Sequence, residues 1–220
     1  MAEDLSTARP GEAAPPEPWS HNLHYHRVIL AAVPPGCGRA LDVGCGTGAL
    51  TRRLKRLVPH VTGIDRDERS IHLARAHPGA AGIRYLQADF LTAPLEPASV
   101  GLVTSIASLH HMDARAALLH MADLLRPGGV LAVVGLARAT SPAELAAIIP
   151  ASAGTQLYKA ACAIRRRSAP GRQARAYQPP VIWPPPLTYR DMRRLATDVL
   201  PGVRYRHHLY WRYSLIWAKP

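Results

Sequence analysis

Asp42-Val43-Gly44-Cys45-Gly46-Thr47-Gly48 sets an acid just ahead of three alternating glycines. Glycine tolerates backbone angles that side chains forbid, so such a chain turns tightly and runs close beneath a ligand. The acid argues that this ligand carries a positive group as well as a negative one. Two further acids close short apolar runs, Asp65 after Val61-Thr62-Gly63-Ile64 and Asp89, ahead of Phe90, after Ile83 to Ala88. An ionised carboxylate only accepts hydrogen bonds, so these positions suit hydroxyl and amino donors. Arg66 beside Asp65, and Ser105 near the end of another apolar run, join the candidate binding set. His110 heads a pair with His111. Imidazole titrates near neutrality, which suits a general base, and His110 is the candidate catalytic residue. Tyr25, inside His24-Tyr25-His26, is a candidate to close over the ligand. Cys45 is read as a small loop residue that contributes backbone.

The elements that must position these residues alternate regularly. Ser20 is a plausible N-cap for a helix over 21–33, which Pro34-Pro35 ends. Strands are expected at Arg39 to Val43, Val61 to Asp65, Ile83 to Ala88, Val100 to Ile106 and Val130 to Leu136. Between them, Leu50, Leu54 and Leu57 recur at helical spacing, with Arg52, Arg53 and Arg56 outward. Asp67 caps a helix holding Ile71, Leu73 and Ala74, and Asp113 opens one through Leu125 before Pro127-Gly128-Gly129 turns the chain. This is an α/β, Rossmann-like doubly wound sheet, mostly parallel. The alternation breaks from Ala137 to Thr188, where a helix over 142–149 precedes an Arg-rich run and a Pro-rich one. A helix from Tyr189 to Leu200 follows, then an aromatic alternating stretch over 203–218 that reads as a C-terminal antiparallel strand pair. Residues 1–18, acidic and rich in Pro and Ala, read as a disordered lead-in, leaving 19–220 as one domain with 137–188 a variable insertion on the acceptor side.

Two ligand classes compete for the strand ends. Gly44, Gly46 and Ala49 satisfy a loose dinucleotide fingerprint, with Asp65 near the expected ribose-binding position. Asp42 would then face a pyrophosphate, which is electrostatically unfavourable. S-adenosylmethionine carries a sulfonium, an ammonium and a carboxylate but no phosphate, and it fits better. Asp42 pairs with its cationic end directly or through water, loop amides take its carboxylate, and Asp65 takes both ribose hydroxyls. Asp89 accepts from the adenine amino group while the Phe90 amide donates to the ring.

Leu41 to Gly48 (LDVGCGTG), Val61 to Asp65 (VTGID), Gln87 to Phe90 (QADF), Ser108 to Asp113 (SLHHMD) and Leu124 to Leu131 (LLRPGGVL) together resemble the class I S-adenosylmethionine-dependent methyltransferases of the UbiE-like, methyltransferase type 11 kind. The resemblance covers about Arg39 to Leu136. It implies in-line methyl transfer to O, N or C of a small-molecule acceptor, with S-adenosylhomocysteine as product. Tyr158, Tyr177, Trp183, Tyr189, Tyr210 and Trp211, largely outside the common core, favour a planar or apolar acceptor such as a specialised metabolite or a modified peptide. A nicotinamide oxidoreductase and a catalytically silent cofactor-binding module are the alternatives. Base methylation of nucleic acid is disfavoured, because Ser105-Ile106-Ala107-Ser108 stands where an Asn/Asp-Pro-Pro-Tyr-like motif is expected.

The bulk composition fits. Hydrophobic residues at 48% and charged ones at 19% describe an ordinary globule, without the roughly 20-residue apolar run of a membrane span. Cys37, Cys45 and Cys162 are odd in number and widely spaced, so neither a disulfide framework nor a metal site is expected, and a cytoplasmic setting follows. The net charge of +12 is nearly all arginine, densest at Arg165-Arg166-Arg167 with Arg172 and Arg175. A compositional bias and a solvated loop explain it, though an anionic or RNA acceptor stays open. His207 and His208 fall on opposite faces of a strand, so a shared metal is not expected.

Overall fold

The computed structural model describes residues 21–141, 144 and 183–220. Within them the elements run α1 (His21–Leu30), β1 (Arg39–Val43), α2 (Ala49–Lys55), β2 (His60–Asp65), α3 (Glu68–Ala76), β3 (Ile83–Gln87), β4 (Val100–Ile106), α4 (Ala114–Leu124), β5 (Leu125–Leu136), α5 (Tyr189–Val199), β6 (Arg204–His207) and β7 (Arg212–Ala218). The lead-in, Ser20 and all of the expected helix over 142–149 except Glu144 lie outside the described residues.

The sheet has seven strands in the order β3-β2-β1-β4-β5-β7-β6. β1 to β5 pair in parallel, and β7 runs antiparallel between β5 and β6. β1 touches β2 on one side and β4 on the other, so strand order reverses there and a crevice opens at the carboxyl ends. Successive residues of the central strands face opposite sides. Leu41, Val43, Val103, Leu131 and Val133 join the core beneath α4 and α5, whereas Ala40, Leu102, Ala132 and Val134 join the one with α1 and α2. Burial on both faces explains why these strands read as nearly continuous apolar runs.

The helix starts follow the capping expectations. Asp67 accepts from the Ser70 amide, Asp113 from the Ala116 amide and Thr188 from the Asp191 amide. Three expectations fail. α2 stops at Lys55, so Leu57 leaves the helical stripe and is exposed, and Leu73 also lies outward on α3. α1 ends at Leu30, short of Val33. Pro127-Gly128-Gly129 is not a turn before β5 but part of it, because Gly128 and Gly129 exchange backbone bonds with Lys219, the residue just past β7.

Candidate functional site

The loop between β1 and α2 is locked from below and open above. Gly44, Gly46 and Gly48 have φ of 69°, 52° and 81°, a region that favours glycine. A β-carbon on Gly44 would lie 2.2 Å from Ser108 Cβ, and one on Gly48 would lie 2.4 Å from the Tyr85 hydroxyl. On Gly46 it would project into open space. The loop amides are largely committed. Gly44 and Cys45 donate to the Ile64 carbonyl, Gly48 to the Cys45 carbonyl and Gly46 to Asp65 Oδ2 at 2.8 Å. That corrects the expectation of a row of free amides for a carboxylate, since a turn this tight satisfies most of its own donors. Cys45 behaves as expected of a packing residue: it is buried against Gly63, and burial pushes its thiol well above the usual range.

Asp65 ends β2 half-buried beside this loop. Its Oδ1 accepts from the Asp67 amide at 2.9 Å, and Oδ2 takes Gly46. Each oxygen retains a second lone pair, so the carboxylate is held in place while still able to accept two hydroxyls. Arg66 is exposed next to it. Asp89 is exposed and accepts from the Leu91 amide at 2.9 Å, which fixes the bend after β3. Phe90 is buried with its ring 4.8 Å from that of His120, so its side chain belongs to the core and only backbone can serve a ligand.

Two candidates sit deeper than expected. Asp42 is only 1% exposed and its oxygens accept from Thr51 Oγ1 at 2.7 Å and Thr104 Oγ1 at 2.9 Å. Direct pairing with a ligand cation is therefore replaced by a negative charge fixed beneath the loop. Burial raises its pKa to about 6. Ser105 is fully buried, its hydroxyl tied to Ser108, whose own hydroxyl donates to the Val43 carbonyl. It braces β4 against β1 instead of facing the crevice. Thr51 and Thr104 carried no signal in the sequence, and Ser108 only that of its motif, because a threonine or serine becomes informative about packing only once its partner is known.

Above the crevice stand His110, Tyr25, Tyr189 and Arg212. His110 lies in a short 3-10 turn (Leu109–His111), its ring 4.1 Å from that of His111. Tyr25 donates to the Leu209 carbonyl at 2.8 Å, which ties α1 to the β6–β7 turn. The bond commits its hydroxyl, so only the ring is left to close over a ligand. That turn lies at the same end of the sheet as the glycine loop, because Arg212 pairs with Leu136 at the carboxyl end of β5. Sequence reasoning missed Arg212, which nothing distinguishes among 27 Lys and Arg residues. Ala107, Tyr210 and Trp211 hold φ of 53°, 60° and 55°. Such left-handed angles cost roughly 1–2 kcal/mol each for side-chain-bearing residues; these three lie at the carboxyl end of the sheet, while Ala98, at φ 51°, precedes β4 at the other end.

The histidines make stability pH-dependent. Burial holds both His26 and His110 at about 4, and shifts His24, His111 and His208 downward as well. The unfolded chain takes up these protons near 6.5, so stability is complete above that pH and falls on descent towards 4. His26 and His110 each contribute up to about 3 kcal/mol. Asp42 acts oppositely, gaining its proton in the folded state from about 6 downward and returning a similar amount. A net acid destabilisation is expected between about pH 6.5 and 4, and His26→Gln should flatten it in urea titrations. An unchanged slope in that variant would remove His26 from the account.

Among the described residues no group of three or more His, Cys, Asp or Glu could hold a metal, and no helix is long and apolar enough to cross a membrane.

A doubly wound sheet with an antiparallel β7, an alternating-glycine loop after β1 and an acid ending β2 defines a nucleoside-binding α/β enzyme. The family model described as "Methyltransferase domain" matches residues 41–133. Uncharacterized methyltransferases of Mycobacterium tuberculosis and Mycobacterium bovis are each 36% identical over 209 residues, covering 93% of this chain and 98% of their own. The chain belongs to that family: it is a class I S-adenosylmethionine-dependent methyltransferase. A ubiquinone biosynthesis O-methyltransferase from Xanthomonas axonopodis pv. citri is 32% identical over 146 residues, 62% of this chain and 60% of that protein. The crystal structure of a SAM dependent methyltransferase from Aquifex aeolicus shares the fold, with a TM-score of 0.55, 15% identity and 88% of each chain covered. The open face above Gly46, with half-buried Asp65 and exposed Asp89 around it, fits such a cofactor and gives no phosphate-binding row of amides.

Proposed function

We propose that this enzyme methylates a small-molecule acceptor held between the glycine loop and the roof formed by α1, α5 and the β6–β7 turn. One observation carries this reading: Gly46 faces open space beside half-buried Asp65, and the His110, Tyr25, Tyr189 and Arg212 side chains at that end of the sheet are packed into the protein and not spread over its surface. Asp65, Asp89 and the backbone of Gly44 to Gly48 and Phe90 would hold S-adenosylmethionine, Arg66 would flank it, and Asp42 would set the potential beneath it. When bound, that group supplies a methyl already activated by its sulfonium. The protein's own task is to align an oxygen, nitrogen or carbon nucleophile and keep water out, which supplies roughly 7–11 kcal/mol. Likeness to an O-methyltransferase favours oxygen.

Aromatic surfaces support a planar or apolar acceptor. Trp183 meets Trp211 edge to face at 5.5 Å, which brings the end of the Pro-rich segment to the site turn. That contact supports residues 137–188 as an acceptor-side insertion within a domain spanning 19–220. A cytoplasmic setting remains the reading of the cysteine pattern. His110, neutral at physiological pH, is a weak base, so we assign it to orienting the acceptor.

The test is transfer of isotope-labelled methyl to a panel of phenols, hydroxy acids and short peptides, with RNA as comparison. Labelling of small acceptors supports the reading, whereas salt-sensitive labelling of RNA alone would replace it. His110→Ala is expected to lower turnover roughly a hundredfold while leaving S-adenosylhomocysteine affinity within about twofold, as misplacing an acceptor does. If turnover survives, His110 is only a packing residue.

A further inference from the structure

Arg212 is 7% exposed, and its guanidinium donates one recorded bond, from Nη2 to Asn22 Oδ1 at 2.7 Å. Its Nε and Nη1 are buried and have no hydrogen-bond partner among the described residues. The charges and ring hydroxyls that act on it are those of Tyr25 and Tyr189, with no carboxylate among them. Among the described residues it forms no ion pair. A buried cation with unmade hydrogen bonds is costly, and native proteins keep one only where something compensates it.

Its position says what that is. Arg212 is the first residue of β7, at the carboxyl end of β5, and acts electrostatically on His110. The Ser108-to-His111 segment in turn packs over the glycine loop, through Ser108 against Gly44. The turn that carries Arg212 is itself strained. Tyr210 and Trp211 both stand at positive φ, where Asn and Gly are the favoured residues of a two-residue hairpin turn, and Arg212 closes it with a bond from its amide to the Leu209 carbonyl. His110, 8% exposed, adds a third buried nitrogen, Nδ1, with no partner among the described residues.

We infer that Arg212 is the anchor for a carboxylate carried by the methyl acceptor, so that the preferred substrates are organic acids. The inference rests on the proposed small-molecule reading and adds the chemical class of the acceptor to it. A carboxylate provides the acceptors that Nε and Nη1 lack, and the charge-assisted bonds it forms in an enclosed site are the strong ones. Tyr25 and Tyr189 wall the anion with rings, which leaves Arg212 as the cation that selects it. The methionyl carboxylate of the cofactor has the same chemistry, and the experiment must separate the two sources.

The protein saturated with S-adenosylhomocysteine is titrated with benzoate and, separately, with the neutral isostere benzamide, following thermal unfolding and heat of binding. Benzoate is expected to stabilise and benzamide not. Arg212→Met should abolish the benzoate response, keep S-adenosylhomocysteine affinity within about twofold, and unfold no lower than the parent, because an apolar chain replaces an uncompensated buried charge. Arg212→Lys should keep part of the response. Equal responses to benzoate and benzamide would overturn the inference. So would loss of S-adenosylhomocysteine affinity in Arg212→Met, which would assign the guanidinium to the cofactor, or a large drop in its unfolding temperature, which would make it structural. Failure of the parent protein to bind S-adenosylhomocysteine at all is a different result, and it would overturn the reading of the site on which the inference stands.

Discussion

Asp65→Ala is expected to weaken S-adenosylhomocysteine binding by about 1.5–3 kcal/mol, roughly ten- to more than a hundredfold in Kd. The carboxylate has two tasks that one substitution removes together. It is the acceptor proposed for the ribose hydroxyls, and it pins the Gly46 and Asp67 amides at 2.8 and 2.9 Å. Asp65→Asn should recover little. An amide group has a single oxygen, so whichever way it lies, its NH2 points at one of those two N–H groups. Calorimetry on both variants checks this. Parent-like affinity in Asp65→Ala would reduce the residue to a brace for the loop.

Gly44→Ala carries the largest expected loss of stability. The backbone there stands at φ 69°, and the new methyl would overlap Ser108 Cβ at 2.2 Å. Ser108 has no easy retreat, since its hydroxyl is bound to Ser105 and to the Val43 carbonyl. The left-handed angle costs about 1–2 kcal/mol and overpacking another 1–3. A few degrees of unfolding temperature follow from each kcal/mol in a domain of this size, about 2–4 °C. Gly46→Ala is the informative contrast. Its φ of 52° exacts a backbone penalty, but its methyl would enter open space. It should therefore spare most stability and act on cofactor affinity. Urea unfolding and S-adenosylhomocysteine titration of the pair separate the underside of the loop from its ligand face. Equal stability losses in both would mean that Ser108 moves aside.

Much of the architecture was legible because its signals are local. Apolar runs bounded by Pro, Gly and Asp gave β1 to β4 close to their observed limits, and Asp67 and Asp113 cap the helices they were expected to cap. Leu57 misled because periodicity extends past a helix end that backbone bonding, not the pattern, decides; α2 closes at Lys55. β5 begins early because Gly128 and Gly129 find a partner in Lys219, a residue distant along the chain. The same divide runs through the site. Gly44, Gly46, Gly48 and Asp65 stand out in the sequence because a tight turn and a strand-end acid depend on neighbours in the chain. Thr51 and Thr104 do not, because each matters only through a residue brought to it by folding.

What the sequence determined by itself is the frame: a doubly wound sheet, its glycine loop, the acids at the strand ends, and through them the family. Tertiary structure alone decided which polar groups face the crevice. It buried Asp42 between two threonines, turned Ser105 into a brace and spent the Tyr25 hydroxyl on Leu209. It also drew Arg212 out of a uniformly arginine-rich chain into the roof. The physical reason is that identity and spacing specify local backbone geometry, whereas exposure and hydrogen-bond partnership are properties of the packed whole.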